Sequence, residues 1–399
     1  MNLLLKTLKD ELTILKDSHL LRNLNRVDSE QSSRITIGGR EYISLCSNNY
    51  LGLAADIRVK ESSIEAIKNY GNSAAASRLV SGNMALHEHL EEITAEFKGT
   101  EAALVFNTGY MANAGMLQAL ANEHDVLFSD ALNHASIIDG CRLSGAKILV
   151  YRHRDVEHLR SLLSGAAGAG HRRKIVITDG VFSMEGDIAP LPDIAHAAEE
   201  HDAVLIVDDA HATGVLGKNG KGSVDFFGLA QPGLAQQSII QMGTYSKALG
   251  SFGAYIAGPA EVRDYLINKA RAFIYTTALP PSVIAASIAA IRILQEDHNI
   301  LNRLWQNTRL FREGLKGLGF NTLNSETPII PVLTGDIKKT ILFSERLSES
   351  GIYAVPVRPP TVPEGVCRIR TTVTAAHAES EIEFCLRVFE KVGKELRVI

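Results

Sequence analysis

The chain has 399 residues, 45% of them apolar and 22% charged, and a formal charge of −4 at pH 7. That length suits one large domain with a smaller one, and the composition is ordinary for a globular protein. The charge offers no basic field for nucleic acid, and no Lys/Arg run marks a membrane patch.

The N-terminal stretch "MNLLLKTLKDELTILKD" interrupts its leucines with Lys6, Lys9, Asp10 and Glu11. It therefore predicts an amphipathic helix rather than a signal peptide. No stretch reaches the ~18 uncharged apolar residues of a membrane span. Cys46, Cys141, Cys367 and Cys385 are far apart and form no C-x-x-C pair, which argues against a disulfide framework or a metal site. A cytoplasmic protein that binds neither membrane nor nucleic acid is expected.

Next, "RITIGGREYISL" alternates around Gly38-Gly39 and predicts a β-hairpin. Residues 1–55 are read as this helix and hairpin. From 56 to 290 the apolar runs "AALVF", "DVLFS", "KILVY", "KIVIT", "AVLIV", "SIIQM" and "GAYIA" alternate with helical patterns such as "MANAGMLQALAN" and "PDIAHAAEEH". Continuous apolar runs imply strands buried on both faces, and the alternation implies a mainly parallel sheet covered by helices. "SGAAGAGHRR" (164–173) reads as a flexible connector. Residues 291–399 change pattern and predict a smaller α+β domain.

Ligands of open α/β sheets bind at the carboxyl ends of strands, so the turns after the runs carry the candidates. "NTGY" places Gly109 and Tyr110 at a strand-to-helix junction, whose backbone N–H groups suit a phosphate. "SDALNH" places His134 before a helix, where a lone histidine is more often structural. Ser183 lies in "TDGVFSMEGDIAPL", where a hydroxyl can also be a simple cap. "DDAH" ends an apolar run with Asp208 and Asp209 and continues to His211. These acids would be solvated or capping unless Asp208 faces a cationic ring nitrogen.

"GTYSKALGSFG" sets Lys247 among small and apolar residues with no acid within the segment. An unpaired ammonium there would be costly. A lysine whose charged form is disfavoured is instead primed as a nucleophile. Lysine, aspartate, two histidines and a phosphate-type turn together match pyridoxal 5′-phosphate, which needs an amine, a carboxylate for its ring nitrogen and an anion site.

The same motifs, in order from "SNNYLGL" through "SGNMALHEHLE", "TDGVFSMEGDIAPL", "DDAHATGVLG" and "GTYSKALG" to "RPPTVPEGVCRIRTTVTAAH", resemble the α-oxoamine synthase family over nearly the whole chain. The resemblance implies a fold type I, aspartate-aminotransferase-like α/β fold and a homodimer with sites at the subunit interface. It implies Lys247 as the residue bonded to the cofactor, Asp208 on the ring nitrogen, and His134 stacked on the ring and near substrate. His211 and Ser183 fall near the ring hydroxyl, and Thr244 with Gly109 and Tyr110 at the phosphate. A neighbouring subunit's Thr276 or Thr277 would add a phosphate contact.

Arg22 and Thr361 match acyl-substrate positions, and Arg370 the clamp for the amino-acid carboxylate. Arg22 has Arg26 close by, and a solvated helix-end arginine is an alternative. Arg368 and Arg370 flank Ile369 and point the same way along a strand. "RPPTVP" points to the branch that uses L-alanine and a pimeloyl thioester, carried by coenzyme A or acyl carrier protein. Siblings using glycine or serine, and a non-catalytic subunit, are the alternatives. One departure stands out: "GNSAAASRLVSG" has Ala74, Ala75 and Ala76 where relatives are glycine-rich, which restricts the backbone and bears on the acyl pocket.

Overall fold

The computed structural model describes residues 2–168, 170–229 and 239–399. Ala169 of the connector and Ser238, which opens "SIIQM", lie outside the described residues. The chain divides into two compact units. One comprises Met1–Ser47, Met184–Gly186 and Trp305–Ile399, and the other Asn48–Ser183 and Asp187–Leu304.

The N-terminal helix Leu3–Asp17 forms as its pattern predicts, with Asn2 capping it, yet buries none of its residues. The hairpin follows: β1 (Arg34–Ile37) pairs antiparallel with β2 (Arg40–Ser44), and the left-handed Gly38 and Gly39 make the turn.

All seven apolar runs become strands of one sheet. They are β3 (Ala102–Phe106), β4 (Val126–Asp130), β5 (Lys147–Tyr151), β6 (Lys174–Asp179), β7 (Val204–Asp208), β8 (Ile239–Thr244) and β9 (Ala254–Gly258). The order is β3-β9-β8-β7-β6-β4-β5, and only β9 runs against its neighbours. β3, β4, β6 and β8 are buried along nearly their whole length because helices cover both faces, each face forming its own apolar core. Since β9 is antiparallel to both β3 and β8, the carboxyl ends of β3, β4, β6, β7 and β8 all lie along one edge.

The other unit completes three strands around the hairpin and three more at the C-terminal side. β10 is Ile329–Gly335, β11 Ile352–Tyr353, β12 Val355–Val357 and β13 Cys367–Thr372. β11 adds parallel to β2, and β10-β13-β12 form an antiparallel sheet. Phe311, Phe320, Phe343 and Phe389 pack edge-on or tilted in its core. Among the described residues no helix is long and apolar enough to cross a membrane.

Candidate active site

Five turns follow five strand ends on the shared edge of the large sheet, and each carries a predicted residue. After β3, Thr108 caps the helix Gly109–Leu120 by accepting the Met111 N–H at 3.1 Å. Gly109 and Tyr110, whose N–H groups open that helix, are not served by this cap. Gly109 also keeps space: a Cβ there would meet Met242 Cε at 3.1 Å. The Tyr110 hydroxyl donates to Asp139 Oδ2, so the phenol is engaged along the surface.

After β4, His134 is itself the N-cap of the helix Ala135–Ser144. Its Nδ1 takes the Ser136 N–H at 3.2 Å and sits 2.8 Å from Ser136 Oγ. Its own N–H donates to Asp179 Oδ2 at 2.7 Å. The residue as a whole is solvent-exposed, but desolvation of the packed part of its ring lowers its pKa, against the pull of Asp208 and with the help of Lys247.

Asp208 ends β7, 2% exposed, beside Asp179 across the β6–β7 pair. Its Oδ2 accepts Asn113 Nδ2 at 2.7 Å and its Oδ1 the Ala210 N–H at 2.9 Å. A carboxylate offers about four lone-pair sites, so acceptor capacity remains for a cationic N–H. Burial and the Asp208 charge push the Asp179 carboxyl well above the usual range. The pair thus favours a single negative charge at the strand ends.

His211 follows in the same turn, its Nδ1 2.8 Å from Tyr50 Oη, with the two rings edge-on. Next to Asp208, Asp209 points elsewhere. It pairs with Lys98 Nζ at 2.9 Å, both side chains fully buried, and accepts from Ser223 N–H and Oγ. The two neighbouring acids therefore have separate duties, one structural.

Lys247 stands in the turn between β8 and β9, half-buried. The turn is fastened throughout: Tyr245 N–H donates to Gly253 O, Gly250 N–H to Lys247 O and Ser251 N–H to Tyr245 O, at 2.9–3.0 Å. Thr244 Oγ1 donates to Gly253 O at 2.7 Å and accepts Ser246 N–H, so the predicted phosphate residue spends its proton inside the turn. The acids that the segment lacks come from outside it, since the Lys247 charge is felt by Asp179.

Ser183 is half-buried between β6 and a clamp. Val181 and Ile188 bridge across its turn. His153, after β5, lies 3.0 Å from Asp130 Oδ1 on one side and 3.0 Å from Asp187 Oδ2 on the other. Arg154 reinforces both acids, and Phe182 meets the imidazole edge-on. Burial works against the imidazolium, but the two carboxylates outweigh it and hold its pKa up at about 9.

In the other unit, Arg22 Nη2 donates to Thr361 Oγ1 at 3.1 Å, joining two predicted residues 339 positions apart. Arg368 and Arg370 are both buried on β13. Arg368 pairs with Glu185 at 3.0 Å and donates to Met184 O. Asn107 Nδ2 reaches Thr276 Oγ1 at 3.3 Å and Thr277 O at 2.7 Å. Ala75 takes φ +53°, the left-handed region that a glycine would occupy freely, at a cost of about 1 kcal/mol.

Tyr50, Asn113, Ser136, Asp179 and His153 escape the sequence reading. A lone Asn inside the apolar "MANAGMLQAL" is the one signal that marks Asn113, because a buried amide needs partners.

Comparison with known proteins follows the same lines. The family model described as aminotransferase class I and II matches residues 40–389. The 8-amino-7-oxononanoate synthase of Geobacter sulfurreducens is 48% identical over 99% of this chain and 100% of its own. A high-resolution structure of SPT with PLP superposes at TM-score 0.92 with 33% identity, covering both chains fully. The crystal structure of 8-amino-7-oxononanoate synthase from Francisella tularensis gives 0.76 with 28% identity, covering 89% of this chain and 98% of that one.

Proposed function

We infer the roles of these residues for a chain that belongs to the class I and II aminotransferase family and, within it, to the 8-amino-7-oxononanoate synthases. It condenses L-alanine with a pimeloyl thioester in biotin biosynthesis, with pyridoxal 5′-phosphate as cofactor. The observation that carries the residue assignments is the single edge on which five strand ends present Gly109–Tyr110, His134, Ser183, Asp208–His211 and Lys247.

These residues fit the cofactor. Asp208 is a buried carboxylate with acceptor capacity to spare, suited to a protonated ring nitrogen. Gly109 and Tyr110 offer helix N-terminal N–H groups for a phosphate, with Thr244 assigned to the same end. His211 and Ser183 are assigned to the ring hydroxyl, His134 to the ring face, and Lys247 Nζ to the aldehyde carbon. When bound, the cofactor supplies a ring into which negative charge at the amino acid's α-carbon spreads.

Lys247 Nζ takes the proton from alanine Cα and later helps return one to the same carbon. Arg370 holds the alanine carboxylate, a task suited to a two-pronged guanidinium contact. Arg22 and Thr361, already hydrogen-bonded to each other, receive the acyl substrate. A bond forms between alanine Cα and the thioester carbonyl carbon, and the carbon–sulfur bond breaks to release the carrier as its thiol. Loss of the carboxylate as CO2 and protonation of that carbon give 8-amino-7-oxononanoate.

The enzyme is assigned to the cytoplasm and to a homodimer in which Thr276 or Thr277 serves a neighbouring subunit's phosphate. The apolar side chains that the helix Leu3–Asp17 leaves exposed support such a partner. Coenzyme A or acyl carrier protein brings the pimeloyl group.

Replacing Lys247 with Ala should abolish turnover and the yellow absorbance of the loaded enzyme. Product analysis by mass spectrometry, with alanine against glycine and a panel of acyl thioesters, checks the substrates. Near-normal activity in K247A would refute the assignment.

A further inference from the structure

Between Asp208 and His134 lies a chain of three hydrogen bonds that the reaction scheme leaves without a role. Asp208 Oδ2, a carboxylate oxygen, can only accept, so Asn113 must present its Nδ2 to it at 2.7 Å. That fixes the amide's orientation. Its second N–H then points to Ser136 Oγ at 2.9 Å. The Ser136 oxygen is occupied as an acceptor there, and its own hydrogen is left to donate along the remaining contact, 2.8 Å to His134 Nδ1.

The Ser136 backbone N–H, at 3.2 Å, is a second donor aimed at the same nitrogen. Nδ1 thus faces two donors and must offer a lone pair, which leaves the ring proton on Nε2. Asn113 is fully buried, and its Oδ1 has no partner among the described residues. Turning the amide over would put that oxygen against the Asp208 carboxylate, so the orphan carbonyl is the arrangement's cost.

We propose that Asn113 and Ser136 are positioning residues that lock His134 as the neutral Nε2–H tautomer and bind its orientation to Asp208. The groups facing His134 act on its second proton in both directions. Burial opposes a second proton on the imidazole, Asp208 at the end of β7 draws one, and Lys247 sides with burial. Asp179, at the end of β6, takes the His134 backbone N–H, and burial with the Asp208 charge favours the neutral form of its carboxyl.

Without the relay the neutral imidazole loses donors that favour it, and the pull of Asp208 meets less opposition. A cationic imidazole over the ring would then compete with the ring nitrogen for Asp208. With the relay, His134 meets its ligand as a neutral plane whose one N–H, on Nε2, points away from Ser136. This rests on the assignment of His134 to the ring face, but the tautomer itself does not need a cofactor.

The test is 15N NMR of the cofactor-free protein labelled at histidine, with the His134 signals identified by their loss in His134→Gln. At pH 7 Nδ1 should resonate as an unprotonated nitrogen and Nε2 as a protonated one. In Ser136→Ala and Asn113→Leu the two tautomers should mix, and the imidazole midpoint should rise by up to about one pH unit, the size expected for one lost hydrogen bond. Ser136→Thr keeps the hydroxyl and should restore both, which separates the relay from general damage to the fold.

In the loaded enzyme the acid limb of kcat/KM should move with the same midpoint. A wild-type signal with the proton on Nδ1, or tautomers and midpoint unchanged in both Ser136→Ala and Asn113→Leu, would overturn the proposal. If the tautomer is as stated and pyridoxal phosphate does not bind, the lock stands and the cofactor assignment of His134 falls.

Discussion

The clamp on His153 makes the stability of the Ser183 turn depend on pH. The imidazolium lies 3.0 Å from Asp130 and 3.0 Å from Asp187, and its pKa is held up at about 9. The folded chain keeps that proton to about pH 9, whereas an unfolded chain releases it near pH 6.5. The stabilisation is therefore complete below pH 6.5 and is lost as pH rises to about 9. The interval corresponds to about 3 kcal/mol at 1.36 kcal/mol per pH unit, and the site is shielded enough, with the side chain 23% exposed, for much of that to be felt. Unfolding entropy of roughly 2 cal/mol/K per residue converts it to roughly 4 °C in Tm for a chain of this length. His153→Gln preserves a planar polar group that cannot take the charge. Thermal unfolding of both proteins from pH 6 to 10 should show the variant lower by about that amount at pH 6, with the gap closing between pH 6.5 and 9. A gap that stays constant over that range would refute the reasoning.

Two further outcomes follow from buried contacts. Lys98→Met leaves the fully enclosed Asp209 carboxyl with Ser223 alone, among the described residues, to meet it. It should lower stability by about 3–5 kcal/mol in urea unfolding, and a loss below about 1 kcal/mol would show that the pair is dispensable. Tyr50→Phe removes the hydroxyl that holds His211 Nδ1. Titrating cofactor-free enzyme with pyridoxal phosphate should then show binding weaker by a factor of about five, the worth of one hydrogen bond; an unchanged Kd would remove Tyr50 from the site.

The sheet was legible because each of its strands is a continuous apolar run, a pattern that survives any arrangement of neighbours. The residues at the strand ends were legible for a related reason: a polar group directly after such a run has one place to be. What lay beyond reach was pairing across distance. Nothing local distinguishes Asp208 from Asp209, and the separation appears only when Lys98, 111 positions earlier, claims the second acid. Nor does the sequence near Arg368 show that Glu185, 183 positions earlier, pairs with it. The position of Thr244 in its motif likewise says nothing of the Gly253 carbonyl to which its hydroxyl donates. Alanines at 74–76 restrict the backbone, yet Ala75 takes the left-handed conformation.

The reversal of β9 has a consequence for motion. Because the turn bearing Lys247 joins two adjacent strands, both of its ends are anchored in the sheet, and Thr244, Ser246 and Gly253 stitch it shut between them. Amides there should be among the slowest in the molecule to exchange with deuterium. The backbone at Lys247 is a fixed pivot, so substrates of different length must be accommodated by other parts of the chain.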